Sequence, residues 1–249
     1  MRRHPSILIG VALAVIAIAF VPCAGAIRAT RHTLVVLTGG HDFDVKAFPA
    51  LFEGYDDISV RIVNQTRGDE TFRDITGWSA DAIALYNFNQ NLDANGQKNF
   101  LALLEKGVGL VVVHHAIAAY QEWPEWNRIL GARYHLKDET GTDGVVHPAC
   151  TWKHDVDFAI RVEDAAHPIT AGVSDFAIND EVYRGYTVFP GAHVLLSTGE
   201  PQNNRSLAWW KTYDRARVVY LQLGHGPGAW ANPSYRRLLI NAIRWSGRF

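Results

Sequence analysis

The chain has 249 residues, 24 Lys and Arg against 25 Asp and Glu, and 48% hydrophobic residues. No basic patch or long run of one charge stands out, which argues against a nucleic-acid partner. The length suits one full-sized domain with a sizeable core.

The N-terminal end reads as a targeting segment. Arg2 and Arg3 precede an apolar run from Ile7 to Val21, broken only by Gly10. Ala24-Gly25-Ala26 is the small-x-small pattern that a signal peptidase accepts. Residues 1–26 are therefore expected to be a signal peptide and residues 27–249 a single domain, exported to the periplasm or secreted. A spanning helix needs roughly 20 apolar residues, so this run is short for one and an uncleaved anchor is the secondary reading. Loss of the leader would leave Cys150 as the only cysteine, with no intramolecular disulfide to form.

In chain order, Thr33–Thr38 is the first predicted strand, followed by Gly39-Gly40-His41 and a predicted helix from Asp42 to Phe52. Ile58–Val63 and Ala82–Tyr86 are predicted strands. Leu92, Gly96, Phe100 and Leu103-Leu104 recur at helical spacing, with Asn91 or Asp93 as cap and Gly107 as stop. The β-branched run Val111–Val113 then suits a strand covered on both faces, and it stops abruptly on His114-His115. Strand, helix, strand in this rhythm indicates a doubly wound parallel sheet. Glu122–Leu130 is predicted as a short helix and Lys137–Asp143 as a loop. Strands are predicted at Phe158–Val162, Val194–Ser197, Leu207–Lys211 and Arg217–Leu223, and an amphipathic helix at Pro233–Trp245.

Four histidines fall where chemistry is expected. Ligands of open α/β sheets bind beyond the carboxyl ends of the strands. His41, His114, His115 and His225 all follow predicted strands. Imidazoles bind metals and move protons near neutral pH. His114 and His115 are neighbours, so their side chains should diverge: one toward the cleft, the other packing or holding a carboxylate. Asp180-Glu181, with Tyr183 and Tyr186 nearby, supplies a general base or a metal ligand, unless it is an ordinary ion pair to Arg184. His135 and His147 lie in the loop-rich middle, and His167 precedes Pro168 as a turn residue would. There is no G-x-G-x-x-G, no phosphate loop, no H-E-x-x-H and no G-x-S-x-G, so neither a nucleotide cofactor nor a serine-hydrolase mechanism has support.

Seven segments in order resemble the ThuA-like (trehalose utilisation) family. They are Gly39-Gly40-His41 with Phe43, the strand ending LVVVHHA, Trp123-Pro124-Glu125-Trp126 before Leu130-Gly131, His167-Pro168-Ile169 before Gly172, Asp180-Glu181 with Tyr183, Ala208-Trp209, and Leu223-Gly224-His225. The resemblance runs from about Thr33 to Trp245. It implies a three-layer α/β fold of the flavodoxin or class I glutamine amidotransferase type, with a mostly parallel central sheet flanked by helices. The amidotransferases carry a cysteine nucleophile where this chain has His114-His115, and Cys150 lacks that context. Glutaminase activity is therefore not expected.

The resemblance also implies carbohydrate metabolism, with a disaccharide or its 3-keto form as the small-molecule partner; a homo-oligomer is left open. On that reading His115, Glu181 and His114 are the catalytic candidates, and the reaction is that of a lyase or hydrolase. Tyr183, Trp123 and Trp126 are candidates for stacking on sugar, although Trp123 and Trp126 are three apart and could equally pack inward. His41 and His225 are candidates for a divalent metal of unspecified identity. The alternative is a non-catalytic sugar-binding module.

Overall fold

The computed structural model describes residues 31–66, 71–141 and 144–249, together with Met1. The chain divides into two units, Met1–Thr30 and Arg31–Phe249, and the described strands and helices all belong to the second. The expected leader lies outside the described residues. Among the described residues no helix is long and apolar enough to cross a membrane.

Nine strands form one sheet: β1 (His32–Gly39), β2 (Ile58–Asn64), β3 (Ala82–Asn87), β4 (Gly109–Val113), β5 (Thr151–Val162), β6 (Phe176–Arg184), β7 (His193–Thr198), β8 (Ser206–Tyr213) and β9 (Ala216–Leu221). Their order is β2-β1-β3-β4-β9-β8-β7-β5-β6. The first five in that order are mutually parallel. The other four extend the sheet by antiparallel pairings. Helices α1 (Ala94–Lys106), α2 (Pro124–Leu130), α3 (Pro227–Ala231) and α4 (Pro233–Gly247) accompany it. Two short two-stranded sheets pair Ala132–Arg133 with Thr187–Val188 and Glu139–Thr140 with Val146–His147, and Glu139–Thr140 lies within the expected loop Lys137–Asp143. This is the expected three-layer α/β architecture with a mostly parallel central sheet.

The continuous apolar strands are explained by their two covered faces. Alternate residues of a strand point to opposite sides. Leu34, Val36, Val111 and Val113 enter one core, with Tyr235, Leu238, Leu239 and Ala242 of α4. Val35, Leu37, Leu110 and Val112 enter the other, with Phe100, Leu103 and Leu104 of α1 and Trp126, Ile129 and Leu130 of α2. Helix ends follow local chemistry. Asp93 caps α1 by accepting from the Gly96 N–H at 2.6 Å, and Gly107 ends it in the left-handed region. Pro124 opens α2, two residues later than expected, because a missing N–H costs nothing in a first turn.

Three expectations about elements need correction. Asp42–Phe52 is not a helix but a loop closed by a 3-10 turn at Phe48–Phe52. The Asp44 carboxylate accepts from the Lys46 and Ala47 N–H groups and so competes with helix formation. β5 begins seven residues before the expected Phe158. β6 is a strand that the sequence pattern does not reveal, because Asn179-Asp180-Glu181 interrupts its apolar run.

Candidate functional site

The parallel strands place their carboxyl ends side by side. His41 follows β1, His114 and His115 follow β4, and His225 follows β9. β6 contributes Glu181 and Tyr183, two residues apart and hence on one face of the strand.

The turns that carry these side chains are tightly constrained. Gly39 and Gly40 have φ of +120° and +76°. A Cβ on Gly39 would lie 1.9 Å from the Gln65 carbonyl oxygen, and one on Gly40 would lie 2.0 Å from that of Phe88. The two glycines thus serve close backbone packing, which aims His41. His114 itself has φ +56°, a conformation that costs a non-glycine residue about 1–3 kcal/mol and persists where the surroundings enforce it. The Gly224-His225 turn is held by Asp180. Its Oδ2 accepts from the Gly224 N–H at 2.7 Å and its Oδ1 from the His225 N–H at 3.0 Å.

Three ligating atoms converge. His114 Nδ1 lies 2.6 Å from the Gln222 carbonyl, which can only accept, so Nδ1 carries a hydrogen. His114 Nε2 then faces Glu181 Oε2 at 2.8 Å and His225 Nδ1 at 3.1 Å. His225 Nδ1 lies 3.2 Å from the same carboxylate oxygen. The Tyr183 hydroxyl donates to Glu181 Oε2 at 2.8 Å. Among the described residues, His114, Glu181 and His225 are the group whose ligand atoms lie close enough together, all within 4.8 Å, to hold one metal ion.

A fourth histidine reaches this group through a β-bulge. Lys153 pairs with Val182 and Val156 with Asp180, so His154 and Asp155 together oppose Glu181. Asp155 takes φ +56° to absorb the extra residue. Bulges re-aim side chains. Here His154 Nε2 meets Glu181 Oε1 at 3.0 Å, and the ring lies 4.3 Å from that of His225.

Electrostatics follow from burial and from this convergence. Burial pushes the Glu181 carboxyl up, but His114, His225 and Tyr183 together outweigh it and hold the group well below the usual carboxylate range. The hydrogen bond to Glu181 raises His225. Burial lowers His41, and it lowers His115 strongly, with His114 and His41 adding to the effect on His115. Burial and then the Glu181 charge push the Tyr183 hydroxyl well above its ordinary value.

Beside the converging atoms lies a cavity of about 280 Å³. It is lined by His41, His115, His154, Glu181 and Tyr183 and by several aromatic and aliphatic side chains, Phe88, Tyr134 and Trp152 among them. A larger groove of about 750 Å³ lies along the antiparallel strands and contains none of these histidines. The chemistry points to the smaller cavity.

The structure sorts the predicted site residues. The rings of His114 and His115 diverge by 77°. His114, fully buried, holds the Glu181 carboxylate, while His115 lines the cavity. His41 does not join the converging atoms as expected of a metal ligand. It stacks on His115 with ring centres 4.3 Å apart. Trp123 and Trp126 do not line the cavity either. Both pack edge-on to Phe100, and Trp126 Nε1 donates to the Ile117 carbonyl, so they belong to the core beneath α1. His135 and His147 stack on each other in a separate cavity. His167 caps the short turn Pro168–Thr170 by accepting from the Ile169 N–H. Burial pushes the Cys150 thiol up, opposite to the need of a thiolate nucleophile. Sequence reasoning misses His154 and Trp152. Trp152 is an exposed aromatic two residues before His154 on β5, and that pattern was the available signal.

The chain matches the model of the family described as ThuA, trehalose utilisation, over residues 33–246. No curated protein matches it. Among solved structures it is similar to a ThuA-like protein from Parabacteroides merdae, with TM-score 0.72 and 18% identity over 88% of this chain and 90% of that one. A ThuA-like protein from Bacteroides uniformis gives TM-score 0.67 and 20% identity over 90% and 94%. A glutamine amidotransferase from Thermotoga maritima gives 0.51 and 10% over 88% and 100%, which shows the shared fold.

Proposed function

The chain belongs to the ThuA, trehalose utilisation, family, and from that premise we propose that it acts on a disaccharide or a 3-keto glycoside in the cavity beside His115 and Glu181. The observation that carries the proposal is the convergence of His114 Nε2, Glu181 Oε2 and His225 Nδ1 within 4.8 Å. A lone pair on His114 Nε2 cannot face a carboxylate oxygen at 2.8 Å without a cation, a proton or a metal, between them. Two imidazoles and one carboxylate form a donor set that suits a first-row divalent ion. Such an ion, when bound, would polarise a ketone or a water molecule.

The chain's own residues supply the remaining chemistry. His115 Nε2 lies 3.3 Å from the Tyr86 carbonyl and so carries its hydrogen there. Its Nδ1 keeps a lone pair with no partner among the described residues and is enclosed by protein, so its role as a base requires the stacked His41 ring to move aside. In a 3-keto glycoside the C2 proton is acidified by the neighbouring ketone. His115 Nδ1 takes that proton, the electron pair closes a C1–C2 double bond, and the C1–O bond to the aglycone breaks. The departing oxygen takes a proton from solvent. Tyr183 and His154 fix the Glu181 carboxylate from either oxygen. Export, read from the apolar run and the small-x-small pattern, is part of the same proposal and is tested by N-terminal sequencing of the mature protein.

Elemental analysis of the purified full chain is expected to show one divalent ion, lost in His225→Ala. Incubation with 3-keto-trehalose is expected to give an elimination product, and His115→Ala should lower that rate by about 10²–10⁴. Full activity in metal-free protein would remove the metal from the mechanism. Sugar binding without product, unaltered in His115→Ala, would identify a non-catalytic binding module instead.

A further inference from the structure

We infer that the ligand of this cavity is a glycoside whose aglycone is apolar, an aryl or alkyl group rather than a second sugar. The inference rests on the reading of the site as one for a glycoside and narrows it away from the disaccharide, with 3-keto-trehalose left as the weaker-binding substrate. Its basis is the composition of the wall.

Phe88, Ile117, Ala118, Tyr134, Leu136 and Trp152 form more than half of the lining. The polar remainder is largely committed to itself. Glu181 Oε2 accepts from Tyr183, Glu181 Oε1 meets His154, and His115 Nε2 is engaged by the Tyr86 carbonyl. One sugar ring can use the few polar atoms left, the Tyr134 hydroxyl among them. A second ring would bring further hydroxyls into a wall that offers them few partners, and each unpaired buried hydroxyl opposes binding. An apolar group meets no such penalty and gains from covering the same wall.

Two exposures point the same way. Trp152 is 61% exposed and Leu136 39% exposed, and both line the cavity. The Trp152 ring lies 4.9 Å from that of His154, so a flat apolar face stands beside the polar group. Exposed apolar surface bordered by polar groups marks a binding surface. Charge sets the remaining limit. No Lys or Arg is among the described residues of the lining, and Glu181 is its one carboxylate. Beyond a metal held by His114, Glu181 and His225, a phosphorylated or carboxylated sugar would find no counter-charge there. The volume of about 280 Å³ lies just below the ~300–1,000 Å³ typical of small-molecule sites, which fits one ring and a compact aglycone.

Calorimetric titration of the full chain with phenyl glucoside (both anomers) and with trehalose tests the inference. The tighter phenyl anomer is expected to bind at least about tenfold more tightly than trehalose. Trp152→Ala and Leu136→Ser, both at exposed positions, should weaken phenyl glucoside more than trehalose and so erase that margin. Equal or tighter binding of trehalose would overturn the inference and leave the glycoside reading in place. A margin that survives both substitutions would overturn it as well. Failure of phenyl glucoside and trehalose alike to bind would overturn this inference, and failure of 3-keto-trehalose as well would overturn the glycoside reading with it.

Discussion

Gly39 shows how a single missing atom positions a site. Its φ of +120° and the Gln65 carbonyl at 1.9 Å from a hypothetical Cβ leave no room for any side chain. Gly39→Ala is expected to destabilise the fold by at least about 1–3 kcal/mol, read as a lower midpoint in thermal or urea unfolding. A midpoint equal to wild type would show that the Gln65 backbone can retreat. Asp180 acts in the same way from a distance. By accepting both the Gly224 and His225 N–H groups it fixes the turn that aims His225 at Glu181. The sequence marks Asp180-Glu181 as one acidic element. The structure divides it into a carboxylate that holds backbone and a carboxylate that faces the histidines.

Among the elements, β4 and β6 differ in how readily they are recognised. β4 is an uninterrupted apolar run because both of its faces are covered, and its end on two histidines is legible for that reason. β6 carries Asn179, Asp180 and Glu181, which read locally as a loop. These polar side chains are tolerated within a strand because distant residues satisfy them: Asp157 for Asn179, the turn after β9 for Asp180, and the histidines for Glu181. The bulge in β5 is a further case, since nothing in Trp152-Lys153-His154-Asp155 announces an extra residue. Asp tolerates the left-handed region better than branched residues do. Asp155→Val should cost about 1–2 kcal/mol and, by loosening the bulge, withdraw His154 from Glu181. Asp155→Gly should be accepted with little loss. Unfolding midpoints, with the imidazole chemical shifts of His154 in both variants, check this, and equal behaviour of the two would rule the bulge out as the positioning device.

At the scale of the domain, α4 is tied to the start of β2 by an ion pair between Arg244 and Asp57, with two contacts of 2.8 Å. The Arg244 hydrogen bond lowers the Asp57 carboxyl below its ordinary value. A depressed carboxylate stabilises the fold above its unfolded pKa of about 3.9, and that contribution disappears as pH falls through the folded value. Both groups are more than a third exposed, so solvent screening limits the pair to roughly 0.2–1 kcal/mol. Arg244→Ala should therefore lower stability slightly at neutral pH, and the difference from wild type should close in acid. A gap that persists at pH 2 would mean that Arg244 acts through packing. The three-layer architecture and the strand-end histidines were determined by the sequence alone, because periodicity and β-branched runs are local signals that the doubly covered sheet obeys. Tertiary structure decided which histidines meet. The convergence of His114, Glu181 and His225, the arrival of His154 and the burial of Trp123 and Trp126 depend on strand order, register and one bulge. Those features bring together residues up to 111 positions apart, a distance across which no local pattern carries information.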